Sequence, residues 1–230
     1  MLIFNCSEAA SKVFSRVQKG KIVTPVKTPP SPIIEDDEPG DLDEQWLLHA
    51  ITVQRKNVLF AIHIETRYCM IFVDVKKADI DGFACRFADR WIEGQTRYAL
   101  QLDVLKWVVD SELMLQRLAT SCAEYTLYRR GHRGAQAHLN DVIWNFEEYA
   151  HRWQSLPDNR ASLLFDAQLN HTPRLSKGHK NYYWPDEQMM AHWLRRYGGM
   201  DEAGILAARK RRLEVQREMA ELRGQLRHDG

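Results

Sequence analysis

Three short stretches between Trp46 and Val75, WLLHAITVQ, NVLFAIHIET and YCMIFVDV, are crowded with valine, isoleucine and aromatic side chains, the composition of strands on a pleated, half-buried surface. Arg55-Lys56-Asn57 is short enough to turn the first back on the second. An antiparallel meander follows, because a parallel link would need a crossover. MLIFN at residues 1–5 and a segment near residue 125 are further strand candidates.

Elsewhere the apolar period lengthens to that of a helix. Ser7 caps EAASKVFSRV, which Lys19-Gly20-Lys21 stops. Phe83, Phe87 and Trp91 recur every four residues, and ALQLDVLKWVVDSELMLQRLATS continues as a second, longer helix. Leu139, Val142, Ile143, Phe146, Tyr149, Ala150 and Trp153 form the apolar side of a helix over about 135–152. RASLLFDAQLN is a short helix, Pro185 opens another that a glycine pair closes, and residues 201–227 form a continuous one.

These elements predict an α+β fold: an antiparallel sheet packed against helices on one face, with a largely helical C-terminal half. Residues 1–198 make the α+β domain and 201–228 an amphipathic C-terminal helix. Residues 24–45 hold five of the eight prolines and seven acidic side chains, so they predict a flexible acidic, proline-rich insertion.

The net charge of +1 supplies no global field to draw the protein onto a polyanion, so such binding requires a local patch. Cys6, Cys69, Cys85 and Cys122 are too scattered for a zinc signature and read as buried thiols in a reducing compartment. No apolar run reaches the ~18 residues of a membrane span and no leader pattern is present. A cytoplasmic protein with no cofactor, no metal and no membrane partner is the expectation.

Candidate chemistry concentrates in two places. YRRGHRGAQAHLNDV brings Arg129, Arg130 and Arg133 beside two glycines at a helix start, where guanidinium forks and the positive helix end suit an anion. His132, His138 and Asp141 lie in the same stretch as candidate acid–base groups. Further on, Arg174, Lys177, Lys180, Tyr182 and Tyr183 interleave cations with rings, as single-stranded nucleic acid requires. Residues 171–200 carry five basic against two acidic side chains. His63 and Glu65 share one strand face, a weaker catalytic candidate. No phosphate loop, dinucleotide fingerprint or nucleophile elbow is present.

The start MLIFNCSEAASK, the block WLLHAITVQRKNVLFAIHIETRYCMIFVDVKKADI, RGHRGAQAHLNDV and LNHTPR together resemble a small uncharacterised bacterial domain family over roughly residues 1–175. Asn5, Cys6, Trp46, Thr66, Arg133, Gly134, Asn140, Asp141, Asn170 and Pro173 carry the resemblance, which implies no activity. The acidic tract and the long last helix depart from that pattern.

Val215, Met219, Leu222 and Leu226 form a narrow stripe on that helix, suited to a partner or to a second copy of the chain. The absence of a catalytic signature favours a non-enzymatic interaction or regulatory protein, of an antitoxin-like kind. The alternative is a nucleic-acid-associated protein or phosphodiester hydrolase that uses the arginine and histidine patch.

Overall fold

The computed structural model describes residues 1–175 and 182–228, with side chains described as far as residue 221. Lys177 and Lys180 lie outside the described residues, as do the side chains of Leu222 and Leu226. The chain opens with β1 (Leu2–Cys6) and α1 (Glu8–Phe14), capped by Ser7, whose hydroxyl accepts from Ala10 N–H at 3.3 Å. The helix ends before Val17. A small antiparallel hairpin, β2 (Arg16–Gln18) and β3 (Lys21–Val23), takes over because Lys19 (φ 50) and Gly20 (φ 74) both adopt the left-handed conformation that a two-residue hairpin turn needs.

The expected meander forms as β4 (Glu44–Val53), β5 (Lys56–His63) and β6 (Cys69–Val73), paired antiparallel. Then come α2 (Ile80–Gln101), α3 (Ser111–Ala123), β7 (Tyr125–Arg129), α4 (Arg133–Trp153), α5 (Asn159–Asn170), α6 (Pro185–Arg196) and α7 (Glu202–His228). The helical stretch from residue 99 to 121 is interrupted. Asp103 turns left-handed (φ 55), and Asp110 starts α3 by accepting from Leu113 N–H at 2.8 Å.

The sheet order is β6-β5-β4-β1-β7, and β1 pairs parallel with both β4 and β7. The sheet is therefore mixed and only partly antiparallel. The tract after α1 and the pair α2–α3 are the long connections that parallel neighbours require.

Both faces are covered, where the alternation around His63 predicts one. Phe4, Trp46, Leu48, Leu59 and Phe72 meet Phe83, Phe87 and Trp91 of α2, Met189 and Trp193 of α6, and Ile205 and Ala208 of α7. On the other side Leu47, Val58, Phe60, Ile62 and Ile71 meet Leu139, Val142 and Phe146 of α4 and Leu169 of α5. Adjacent apolar pairs such as Leu47-Leu48 and Leu59-Phe60 are what two-sided burial demands.

Helix α5 also closes the outer edge of the sheet. Asn170 accepts from Cys69 N–H and donates to Cys69 C=O, both at 2.7 Å, and Asp166 accepts from Ile71 N–H at 2.9 Å. Two side chains thus act as a substitute strand along β6, an edge that would otherwise be open to foreign pairing.

Residues 24–45 are anchored along their length, with Lys27 paired beside β7. Lys27 N–H donates to Leu127 C=O at 2.8 Å and Arg129 N–H to Lys27 C=O at 2.9 Å. Val26 and Leu42 pack on the core, and Ile34 is buried. Asp37 receives the guanidinium of Arg130, and Glu44 lies inside the molecule.

Substituting Phe146, fully buried against Phe60 (ring centroids 5.4 Å apart), by alanine should cost about 3–5 kcal/mol in urea denaturation. Trp144→Ala, on the exposed side of the same helix, should stay within about 0.5 kcal/mol. Equal costs would mean that α4 does not cover the second face.

Candidate functional site

Glu44, the first residue of β4, is buried with its carboxylate surrounded by donors. His63 Nε2 stands 2.9 Å from Oε2, His192 Nε2 3.0 Å from both oxygens, and Tyr197 donates its hydroxyl to Oε1 at 2.5 Å. Arg196 adds an ion contact at 3.4 Å. The other nitrogen of His192 faces Glu65 at 3.5 Å. His63 and Glu65 are thus brought together through His192 of α6, and neither meets His132 or His138.

The two imidazoles differ in charge. Burial would lower the pKa of His192, but hydrogen bonds with Glu44 and Glu65 outweigh it and raise the group to about 9. For His63 burial prevails over the hydrogen bond with Glu44, and its pKa falls. Glu44 is held far below the usual carboxylate range: burial opposes this, and hydrogen bonds from His192 and His63 overcome it. One carboxylate thus keeps one imidazolium and one neutral ring.

Glu44, His63 and His192 also bring three potential metal-ligand atoms within 4.8 Å of one another. A cation would need the Nε2 lone pair of His63, which puts that ring's proton on Nδ1. Thr66 N–H already donates to Nδ1 at 3.2 Å, so the proton belongs on Nε2, facing Glu44. With Arg196 on the same carboxylate, these residues suit a hydrogen-bonded core better than a metal centre.

That hydrogen bond shapes the turn between β5 and β6. Thr66 is buried and its hydroxyl lies 3.0 Å from the same His63 nitrogen. Arg67 N–H donates back to His63 C=O at 3.0 Å, with Arg67 in the left-handed region (φ 61). The Arg67 guanidinium folds over Ile64 C=O and reaches the wall of a cleft on the α4 side of the sheet.

This cleft, about 990 Å³, lies between α4 and α5. Arg67, Arg133, Arg152 and Arg174 line it against two carboxylates, Asp141 and Glu148, together with His138 and the rings of Trp144, Tyr149 and Trp153. Among the described residues Arg67, Arg133 and Arg174 have no carboxylate at ion-pair distance. Arg174 is 8% exposed, and its Nε–H is buried without an acceptor. Its backbone is clamped by paired hydrogen bonds with Tyr183 at 2.8 and 2.9 Å.

Gly134 lies close under Arg67: a Cβ there would lie 3.2 Å from an Arg67 Nη. His138 packs its ring against Tyr183, 6.4 Å between centroids. Burial, and then the charges of Arg174 and Arg67, lower its pKa, so it faces the cleft as a neutral ring.

The sequence candidates therefore separate. Arg133, His138, Asp141 and Arg174 line one cleft, and Tyr183 backs it. Arg130 does not belong to any anion site, because it is buried and consumed: Nε donates to Asn5 at 2.6 Å, and Nη1 to Ser31 C=O at 3.1 Å and to Asp37 at 2.9 Å. Arg129 pairs with Glu8 at the surface. His132 is the N-cap of α4, its Nδ1 accepting from Ala135 N–H at 2.9 Å and its other nitrogen facing Glu35. Tyr182 is exposed, and Val215 is buried in the core while Met219 stands partly exposed. Arg67, Arg152 and Trp144, absent from those candidates, are also part of the lining. A lone arginine in a turn and a tryptophan beside an apolar stripe carry no sequence signature.

Because the folded pKa of His192 lies above its ordinary value, its contribution to stability is complete below about pH 6.5 and disappears as pH rises through about 9. Glu44 acts with the opposite sign, its contribution being lost under acid conditions. Denaturation across pH should show a His192 contribution on the order of 3 kcal/mol lost between about pH 6.5 and 9.5, on top of that of Asp166, which burial raises to about 8, and His192→Gln should reduce that limb. An unchanged alkaline limb in the folded variant would refute the assignment of the proton to His192.

Residues 8–188 match the family model described as a domain of unknown function, DUF6933. No curated protein matches the chain. The match begins just after β1, spans β4 to β7 of the sheet, includes the cleft, and stops within α6, so that α7 lies beyond it. On that coverage the chain belongs to the DUF6933 family.

Proposed function

We propose that the protein binds single-stranded nucleic acid in the cleft between α4 and α5. The observation that carries this reading is the set Arg67, Arg133 and Arg174, which have no carboxylate partner among the described residues, one of them buried with an unused donor. A buried guanidinium without an acid is costly unless a ligand supplies the anion.

The other lining residues suit the rest of a nucleotide chain. Trp144 and Trp153 are each 63% exposed beside the arginines, placed for bases to stack while the guanidinium forks hold phosphates. Helix α4, of 21 residues, is about 30 Å long, which gives an extended strand a track with its positive end at Arg133.

Part of the surface expected to meet a protein partner is used internally: Asp37 holds Arg130, Glu44 organises the core, and Val215 of α7 packs within the chain. One observation favours a hydrolytic variant of the same reading. His138 is a neutral base beside two arginines, with Asp141 one turn along the helix.

Fluorescence anisotropy with a short labelled single-stranded oligonucleotide should show binding that weakens steeply with salt. Arg133→Ala, at an exposed position, should weaken it about tenfold and lower the salt slope by about 0.7, and Trp144→Ala should weaken it with the slope unchanged. Shortening of the probe that His138→Gln abolishes would establish the hydrolytic variant. No affinity at low salt, or equal affinity in all variants, would refute the proposal.

A further inference from the structure

A second pocket opens on the opposite side of the sheet, enclosed by α2, α5 and α7, with a volume of about 460 Å³, within the range of small-molecule sites. Its apolar lining includes Leu102, Leu163, Val215 and Met219. The α7 wall, from Arg212 to Ala220, lies beyond residue 188, where the family match ends. The pocket therefore depends on the docking of a segment outside the matched domain.

The charged groups at its rim are already matched to one another. Asp186 accepts from Arg212 at 3.2 Å and from Glu187 N–H at 2.7 Å, and pairs with His171 at 2.8 Å. Arg212 Nε donates to the Tyr98 hydroxyl at 2.7 Å, and the guanidinium lies over the Trp184 ring at 5.0 Å. A charged ligand would have to break these pairs, and a neutral one would leave them intact.

Among the described lining residues two have a buried polar atom without a hydrogen-bond partner: Arg212, whose Nη1 has Glu187 at 3.4 Å as an ion contact, and Gln95. The Gln95 side chain lines the pocket at 1% exposure, and its carbonyl oxygen has no hydrogen-bond partner. A buried amide acceptor is normally satisfied, so a donor arriving from the pocket would complete it. We propose that this pocket binds a small, uncharged, largely apolar molecule bearing one N–H or O–H group, which donates to the Gln95 amide.

Indole and 1-methylindole are suitable probes, alike in shape and differing in that one donor. Titrations of the full chain followed by ligand-observed saturation-transfer NMR should show indole binding about fivefold more tightly, the factor for one net hydrogen bond. In Gln95→Leu, which keeps the apolar volume, that preference should vanish. Equal binding of the two probes to the unaltered protein, binding of neither, or a preference that persists in folded Gln95→Leu would each overturn the proposal. The comparison on unaltered protein decides the matter even if the variant does not fold.

Discussion

The carboxylate of Glu44 joins segments that are far apart in the chain: it meets His63, 19 residues later, and His192 and Tyr197, 148 and 153 residues later. It thereby fastens α6 to the start of β4 and, through the Tyr197 hydroxyl and Ser121 at 3.0 Å, to α3. A buried charge kept by several partners makes each of them costly to remove, about 3–5 kcal/mol when a buried pair is broken. The same network reaches the surface: His63 anchors Thr66, Thr66 sets the turn, and the turn carries Arg67 to the cleft. The packing that holds the C-terminal half in place and the placement of a cleft-facing arginine share one origin.

The arginines show how context assigns roles that residue type leaves open. Arg90, Arg130 and Arg212 are buried beside Asp166, Asp37 and Asp186, and serve the fold. Arg67, Arg133 and Arg174 face a cleft, with no such partners among the described residues. Arg130 and Arg133 are three residues apart, yet one lies in the junction between β1 and the acidic tract while the other opens α4. The acid that consumes Arg130 is 93 residues away in sequence, so their neighbourhood in the chain could not separate them.

Much of the fold was legible. The β-branched runs located β4, β5 and β6 within a few residues, and the apolar stripe from Leu139 to Ala150 located α4 and the side it buries. The parallel pairing of β1 between β4 and β7 was not legible, because it depends on where long connections return the chain. The second covered face was readable in principle from Leu47-Leu48 and Leu59-Phe60, whose neighbouring side chains must point to opposite faces. Of the candidate site, Arg133, His138, Asp141 and Arg174 were visible as residue types near a helix start and in a basic loop. Arg67 was hidden in a tight turn, and Glu44 and His192 in segments that read as an acidic insertion and an ordinary helix.

On the proposed reading, bases and phosphates lie along α4 in the arginine-lined cleft. Photocrosslinking with an oligonucleotide carrying 5-bromouridine, followed by peptide mass spectrometry, tests it most directly. The account predicts adducts on Trp144, Tyr149 or Trp153, suppressed by high salt. Adducts confined to the α2 and α6 side of the molecule, or none at low salt, would contradict it.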